Sequence, residues 1–142
     1  MVYLFLGTGF EEVEAVATID VLRRAEVELT TVSVMNERTV EGAHGVRIEA
    51  DKMFDEVDCT NAEMLILPGG ATHLEQYEAL TQLLVKHNDQ NKLIAAICAA
   101  PSVLGKLGIL ENKQATCYPG FEEYLGESYV GGLVVESKNI IT

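Results

Sequence analysis

The sequence predicts an α/β fold: a mainly parallel sheet with helices covering both faces. Three observations predict it. Short apolar runs at Val2–Leu6, Met64–Leu67 and Lys92–Ile97 have the length of strands buried on both sides. Longer stretches with apolar residues at helical spacing, Glu11–Ala25 and Leu74–Asn88, follow the first two runs. Each run ends in glycine, proline or other small residues, so strand, turn and helix alternate. With 142 residues and only 3 prolines, and with no internal repeat, the whole of 1–142 reads as a single domain large enough to bury a core.

Val2–Leu6 is the first strand, and Gly7-Thr8-Gly9 turns the chain. In Glu11–Ala25 the apolar face is Val13, Val16, Ala17, Ile19 and Leu22, and acids in the first turn complement the helix dipole. Leu29–Val34 interleaves Thr and Ser with apolar residues, a strand pattern. Val46–Ala50 reads as a strand after the Gly42–Gly45 turn. Met64–Leu67 ends at Pro68-Gly69-Gly70, and Leu80, Leu83 and Leu84 face inward from the helix that follows. Lys92–Ile97 leads to Pro101, which the first turn of a helix tolerates. Ala115–Cys117 reads as another strand. Leu133–Glu136 and Asn139–Thr142, split by Ser137-Lys138, read as a closing hairpin.

The 22 acidic and 10 basic residues give a net charge of -12. Such a surface repels phosphate backbones and anionic bilayers, so neither a nucleic acid nor a membrane is an expected partner; its ordinary role is solubility. Met1–Gly9 has no basic leader and runs into Glu11, Glu12 and Glu14, so it reads as a buried strand and not as a signal peptide. Leu93–Leu110 is interrupted by Pro101, Lys106 and two glycines, which favours strand then helix over a membrane span. Cys59, Cys98 and Cys117 contain no CxxC pair, and the expectation is free thiols in a reducing, cytoplasmic setting. No Cys/His spacing suits a metal, and no cofactor is expected.

Active sites in such sheets gather at the carboxyl ends of strands. Three loops leave those ends: Gly7–Glu14, Pro68–Ala71 and Cys98–Pro101. Gly7-Thr8-Gly9 is a poor dinucleotide fingerprint, because Glu12 takes the third glycine position and carboxylates sit where a pyrophosphate would lie. Cys98 is more telling. It follows an apolar strand and precedes Ala99-Ala100-Pro101-Ser102, small residues that let a tight elbow lift one nucleophile above the sheet. At a helix start the dipole and nearby N–H groups favour the thiolate, so a lowered thiol pKa is expected; the plain alternative is an inert core cysteine. Pro68-Gly69-Gly70, together with the N–H of Ala99, is a candidate oxyanion hole, although glycine loops after strands are most often turns. Glu14, among apolar neighbours, is the candidate proton donor to the thiolate, while its companions Glu11 and Glu12 suit capping and solvent. His44, His73 and His87 are scattered, with His87 at a helix end facing solvent.

Gly9-Phe10-Glu11-Glu12-Val13-Glu14-Ala15, Leu67-Pro68-Gly69-Gly70 and Ile94-Ala95-Ala96-Ile97-Cys98-Ala99-Ala100-Pro101 closely resemble, in order and spacing, the motifs of the ThiJ/PfpI family in its Parkinson-disease-associated deglycase branch. The similarity extends over essentially the whole chain. It implies a flavodoxin-like three-layer sandwich. It also makes Cys98 an oxidisable nucleophile, Glu14 the protonated partner that lowers its pKa, and Gly69, Gly70 and Ala99 the backbone donors around it. Arg24 matches a family arginine near the site, and a homodimer formed through the first helix is implied.

The chain departs from that pattern in four places. Tyr118 stands where the deglycase branch often has histidine, and Ala99 where PfpI-type proteases have histidine. His44 stands where close relatives carry an arginine lining the dimer-side site. Relatives continue beyond the position of Thr142 through a Gly-Pro-Gly turn and a long helix on the sheet, so this sequence reads as C-terminally truncated, with an apolar sheet face left open. The expected function is a cysteine-dependent reaction with a small reactive carbonyl compound or glycated adduct. The alternatives are a redox sensor or chaperone-like protein built on an oxidisable Cys98, and a peptidase or amidase, which Ala99 weakens.

Overall fold

Five consecutive apolar residues flanked by strands on both sides have nowhere to meet water, and all five residues of β1 (Val2–Leu6) are buried. The structure, a computed structural model, describes residues 1–70 and 72–142. After β1 come α1 (Glu12–Arg24), β2 (Leu29–Ser33), β3 (Thr39–Glu41), β4 (Arg47–Glu49), β5 (Lys52–Met53) and β6 (Met64–Leu67). Then follow α2 (Glu78–Asp89), β7 (Leu93–Ala96), α3 (Pro101–Lys106), β8 (Glu136–Ser137) and β9 (Ile140–Ile141). Seven strands form the main sheet in the order β5-β2-β1-β6-β7-β9-β8, with only the β8–β9 pair antiparallel. β3 and β4 form a separate antiparallel hairpin.

The connection β1–α1–β2 moves along the sheet in one direction and β6–α2–β7 in the other. Right-handed crossovers therefore place α1 on one face and α2 and α3 on the opposite one, which is the flavodoxin-like three-layer arrangement. Leu4, Phe5, Leu6, Leu65, Leu67, Ile94 and Leu104 are fully buried between the layers. The two crossovers diverge between β1 and β6, so a crevice opens at the carboxyl ends of those strands. On the α1 face, an apolar groove of about 470 Å³ runs beside Val21 and Leu22 of α1 and past Ile66 and Ala95 of the sheet to Leu133 and Val134. Among the described residues no helix is long and apolar enough to cross a membrane.

Several elements differ from the sequence reading. The second helix starts at Glu78 and not Leu74, because Thr72–Gln76 forms a 3₁₀ turn. The strand read at Val46–Ala50 contracts to β4 and pairs with β3, whose one buried residue, Val40, gives too weak an alternation to be seen. β5 is too short to leave a pattern. Ala115–Cys117 is not a strand: Ala115 makes a single bridge to Tyr129, and Thr116 N–H turns to the Thr142 hydroxyl. The closing hairpin exists with two-residue strands, and Leu133 and Val134 lie outside it, largely exposed. His87 is not solvent-facing. Its ring packs under the start of β7 with Nε2 3.1 Å from the Leu93 carbonyl, and burial, reinforced by Lys92, holds its pKa below the usual histidine range.

Phe10 anchors the turn between β1 and α1. It is fully buried, its N–H donates to the Gly7 carbonyl, and its own carbonyl accepts from Ala43. Phe10→Ala is expected to cost about 3–5 kcal/mol, the range for truncating a buried phenylalanine, seen as a lower urea midpoint at unchanged slope. A loss under about 1 kcal/mol would show that the turn collapses onto the cavity.

Candidate active site

The crevice between β1 and β6 is closed by direct backbone contact. Glu11 N–H donates to the Gly69 carbonyl at 2.8 Å, joining the loop after β1 to the loop after β6. Gly70 has φ +85°, and a Cβ there would come within 2.5 Å of Glu11 N and Gly9 O. Only glycine fits this approach. Ala71, which ends the second loop of the sequence reading, lies outside the described residues.

Cys98 sits two residues past β7 with φ +63°, in the left-handed region that costs a non-glycine residue about 1–3 kcal/mol. The elbow is held on both sides. Ile97 N–H donates to the Leu67 carbonyl at 3.2 Å, Ala100 N–H to the Ile97 carbonyl at 3.0 Å, and Tyr118 N–H to the Cys98 carbonyl at 2.7 Å. Ser102 Oγ donates to the Ala99 carbonyl at 2.7 Å. Small residues surround a strained cysteine here, as the motif required.

Glu14 approaches from α1. Glu11 caps that helix by accepting the Glu14 N–H at 2.8 Å, and the Glu14 carboxylate accepts the Gly69 N–H at 2.9 Å. A Cβ on Gly69 would collide with that carboxylate oxygen and come within 2.7 Å of Cys98 Cβ and 3.2 Å of its Sγ. Gly69, Glu14 and Cys98 therefore meet at one point, drawn from three loops distant in sequence.

The electrostatics run against the expected lowering of the thiol pKa. Burial, then the hydrogen bond and charge of Glu14, push the Cys98 thiol up to about 11, and the N–H of Ala99 pulls the other way without prevailing. The helix dipole invoked for a lowered value is weak here, since α3 has six residues and begins three positions beyond the cysteine. The role expected for Gly69 also changes. Its N–H is committed to Glu14, which leaves Gly70 and Ala99 as candidate donors to a substrate oxygen.

The other candidates are placed elsewhere. Glu12, which suited solvent on sequence grounds, is 8% exposed and accepts the His44 N–H at 2.5 Å and its Nδ1 at 2.8 Å. Those bonds hold the Glu12 carboxyl down to about 2 and raise the His44 pKa. His44 thus latches the β3–β4 turn to α1, and no hydrogen bond joins it to Cys98. Glu11, Glu12 and His44 bring ligand-type atoms within 4.8 Å of one another, but the ion pair already accounts for that cluster. Arg24, at the far end of α1, pairs with Asp20 at 2.8 Å and is not brought to Cys98 within this chain. Tyr118 is largely exposed at the rim, its backbone holding the elbow.

Residues 1–142 match the pattern of the DJ-1/PfpI family. This chain belongs to the DJ-1/PfpI family. It is 39% identical to Protein DJ-1 homolog B of Arabidopsis thaliana over 82% of its length. The chain spans only 28% of that plant protein and 32% of its companion homolog A. A deglycase of Pyrococcus horikoshii is 29% identical over the whole chain, which covers 89% of it. Among solved structures, oxidized Toxoplasma gondii DJ-1 superposes with a TM-score of 0.93 at 36% identity, covering 99% of this chain and 79% of that one. The family's fold and the observed one agree.

Two outcomes follow from these charges. Because the Glu14 carboxylate raises the Cys98 pKa, Glu14→Gln is expected to shift the alkylation midpoint to lower pH, with roughly tenfold faster iodoacetamide modification at pH 8. An unmoved midpoint would show that burial alone sets it. For His44, whose folded pKa lies above its unfolded one, the stabilisation is complete below the unfolded value and disappears as pH rises through the folded value. For Glu12, whose folded pKa is depressed, it is complete above the unfolded value and disappears as pH falls toward about 2. The melting temperature of His44→Ala should therefore fall furthest below that of the unmutated chain near pH 5–6, between the unfolded values of roughly 4.5 and 6.5, and approach it on either side. A gap independent of pH would mean the latch is packing and not charge.

Proposed function

We propose that Cys98 attacks small reactive aldehydes, such as methylglyoxal or its early adducts on amines, and that Glu14 carries the proton. The carrying observation is the Glu14 carboxylate, fixed by the Gly69 N–H at 2.9 Å and set beside the thiol. Moving the proton from sulfur to Glu14 creates the thiolate only when substrate is present to accept it. Sulfur then bonds to the carbonyl carbon, the C=O π pair moves to oxygen, and Glu14 returns the proton to give a hemithioacetal. Gly70 and Ala99 are the donors for the developing oxyanion. With methylglyoxal, proton transfer between the two adjacent carbons yields a lactate thioester, which water cleaves to lactate and free thiol. The name of the Pyrococcus horikoshii relative as a deglycase supports this chemistry. Val13, Val16 and Val21, exposed on α1, support the homodimer expected across that helix.

A second reading is favoured by one observation: the Toxoplasma gondii DJ-1 structure that resembles this one is of an oxidized protein. In that reading Cys98, half-buried on its strained elbow, is the group that senses oxidant. Peptide hydrolysis has less support, since no histidine among the described residues hydrogen-bonds to Cys98.

The deciding assay is lactate formation from methylglyoxal by reduced protein. Cys98→Ser should abolish turnover, and Glu14→Gln should reduce it by about 10²-fold or more, the scale for losing a general acid–base group. Turnover that survives Cys98→Ser, or none from the folded, reduced protein, would overturn the carbonyl reading and leave oxidant sensing.

A further inference from the structure

Cys117 takes no part in the chemistry above, yet it is the neighbour of the residue that clamps the elbow. The Tyr118 N–H donates to the Cys98 carbonyl at 2.7 Å. Fixed bond lengths on either side of that hydrogen bond keep the α-carbons of Cys98 and Cys117 within about 7.5 Å. Disulfides use α-carbon separations of about 4.4–6.8 Å. Both thiols are half-buried, so neither is sealed in the core. Cys59, the third thiol, is buried in the 3₁₀ turn ahead of β6, where Ala62 and Glu63 lead into the amino end of that strand, whereas Cys98 lies at the carboxyl end of the sheet.

The segment carrying Cys117 is held beside the elbow. It is not a strand; it is tied by the Ala115 bridge, the Thr116–Thr142 hydrogen bond and the Tyr118 clamp, and then turns at Pro119-Gly120, where Gly120 has φ +101°.

We propose that Cys117 is the resolving thiol for Cys98: a sulfenic acid formed at Cys98 condenses with Cys117 into an intramolecular disulfide. The inference rests on the reading of Cys98 as a reactive thiol. In the first step the Cys98 thiolate attacks hydrogen peroxide and the O–O bond breaks. The sulfur keeps one oxygen as S–OH, and the leaving hydroxide takes the proton held by Glu14 to become water. In the second step the Cys117 sulfur attacks the Cys98 sulfur, an S–S bond forms and the S–O bond breaks. The departing hydroxide takes the Cys117 proton, so two thiols and one peroxide give one disulfide and two waters. The disulfide diverts Cys98 from the irreversible sulfinic state and makes its oxidation reversible by thiols.

The test exposes the fully reduced chain and its variants to a few equivalents of hydrogen peroxide, since a sulfinic acid consumes two, blocks remaining thiols, and reads intact mass and non-reduced peptide maps. The expected result is a loss of about 2 Da, a linked peptide pair containing Cys98 and Cys117, and full recovery with dithiothreitol. Cys117→Ser and Cys117→Ala, each checked for an unchanged circular dichroism spectrum, should instead gain about 32 Da at Cys98 without recovery. Sulfinic acid at Cys98 in the unmutated chain at the rate of the Cys117 variants would overturn the proposal while leaving Cys98 reactive. A Cys98–Cys59 or intermolecular Cys98–Cys98 link would do the same. No oxidation at Cys98 in any variant would overturn the proposal and the reactive-thiol reading together.

Discussion

The hydrogen bond from the Gly69 N–H to the Glu14 carboxylate is the constraint on which the site depends. It spans the point where the two halves of the sheet diverge, tying the loop after β6 to the first turn of α1. A backbone N–H already fixed by its loop loses little freedom on forming such a bond, and a bond to a charged acceptor is worth about 1.5–3 kcal/mol. Gly69 must lack a side chain for this to work, because a methyl group would occupy the space where Glu14 and Cys98 meet. The neighbouring Glu11–Gly69 bond and the tight approach at Gly70 brace the same crevice from the backbone side.

A carboxylate beside a half-buried thiol is at first sight at odds with nucleophilic chemistry, since the carboxylate and the burial both raise the thiol pKa. The two demands are compatible if the proton moves between the partners and is not given up to water. A thiolate stabilised outright by a helix dipole or a cation is ionised all the time but is a weaker nucleophile, since nucleophilicity falls with thiol pKa. In the proposed mechanism the sulfur keeps its proton until Glu14 accepts it. The short α3 fits this arrangement: six residues supply too small a dipole to ionise the sulfur independently. The strained φ of Cys98 instead supplies direction, aiming the side chain at Gly69 and Glu14.

Each of the three loops was legible in the sequence because its chemistry is local. Cys98 is flanked by small residues, Gly69 and Gly70 follow an apolar strand, and Glu14 sits among apolar neighbours on an evident helix. What sequence could not show was direction and pairing. Whether the Gly69 N–H faces a substrate or Glu14 depends on how two loops 55 residues apart pack. The Glu12–His44 latch joins residues 32 apart through an exposed hairpin with one buried residue per strand at most, which leaves almost no periodic signal. His87 looks like a surface residue from its place at a helix end, and only the turn back into β7 buries it. Arg24 shows the reverse case: a matching position whose side chain, in this chain, reaches no further than Asp20.

The open groove reaches the strand ends that carry the site. Ile97 and Leu67 both line the groove, and their backbone bond is the last one joining the β6 and β7 edges before Pro68 and Cys98 begin. Leu67 is fully buried, whereas Ile97, the residue before the nucleophile, is 47% exposed. Apolar surface in that position gains by being covered, at about 25 cal/mol for each Å² removed from water. Ile97 is fixed at both of its backbone groups, since its carbonyl accepts from Ala100 and its N–H is held by Leu67, and Cys98 follows it with strained torsions. The backbone at Cys98 is therefore held from two directions: the Tyr118 clamp on one side and the Ile97–Leu67 backbone bond on the groove side.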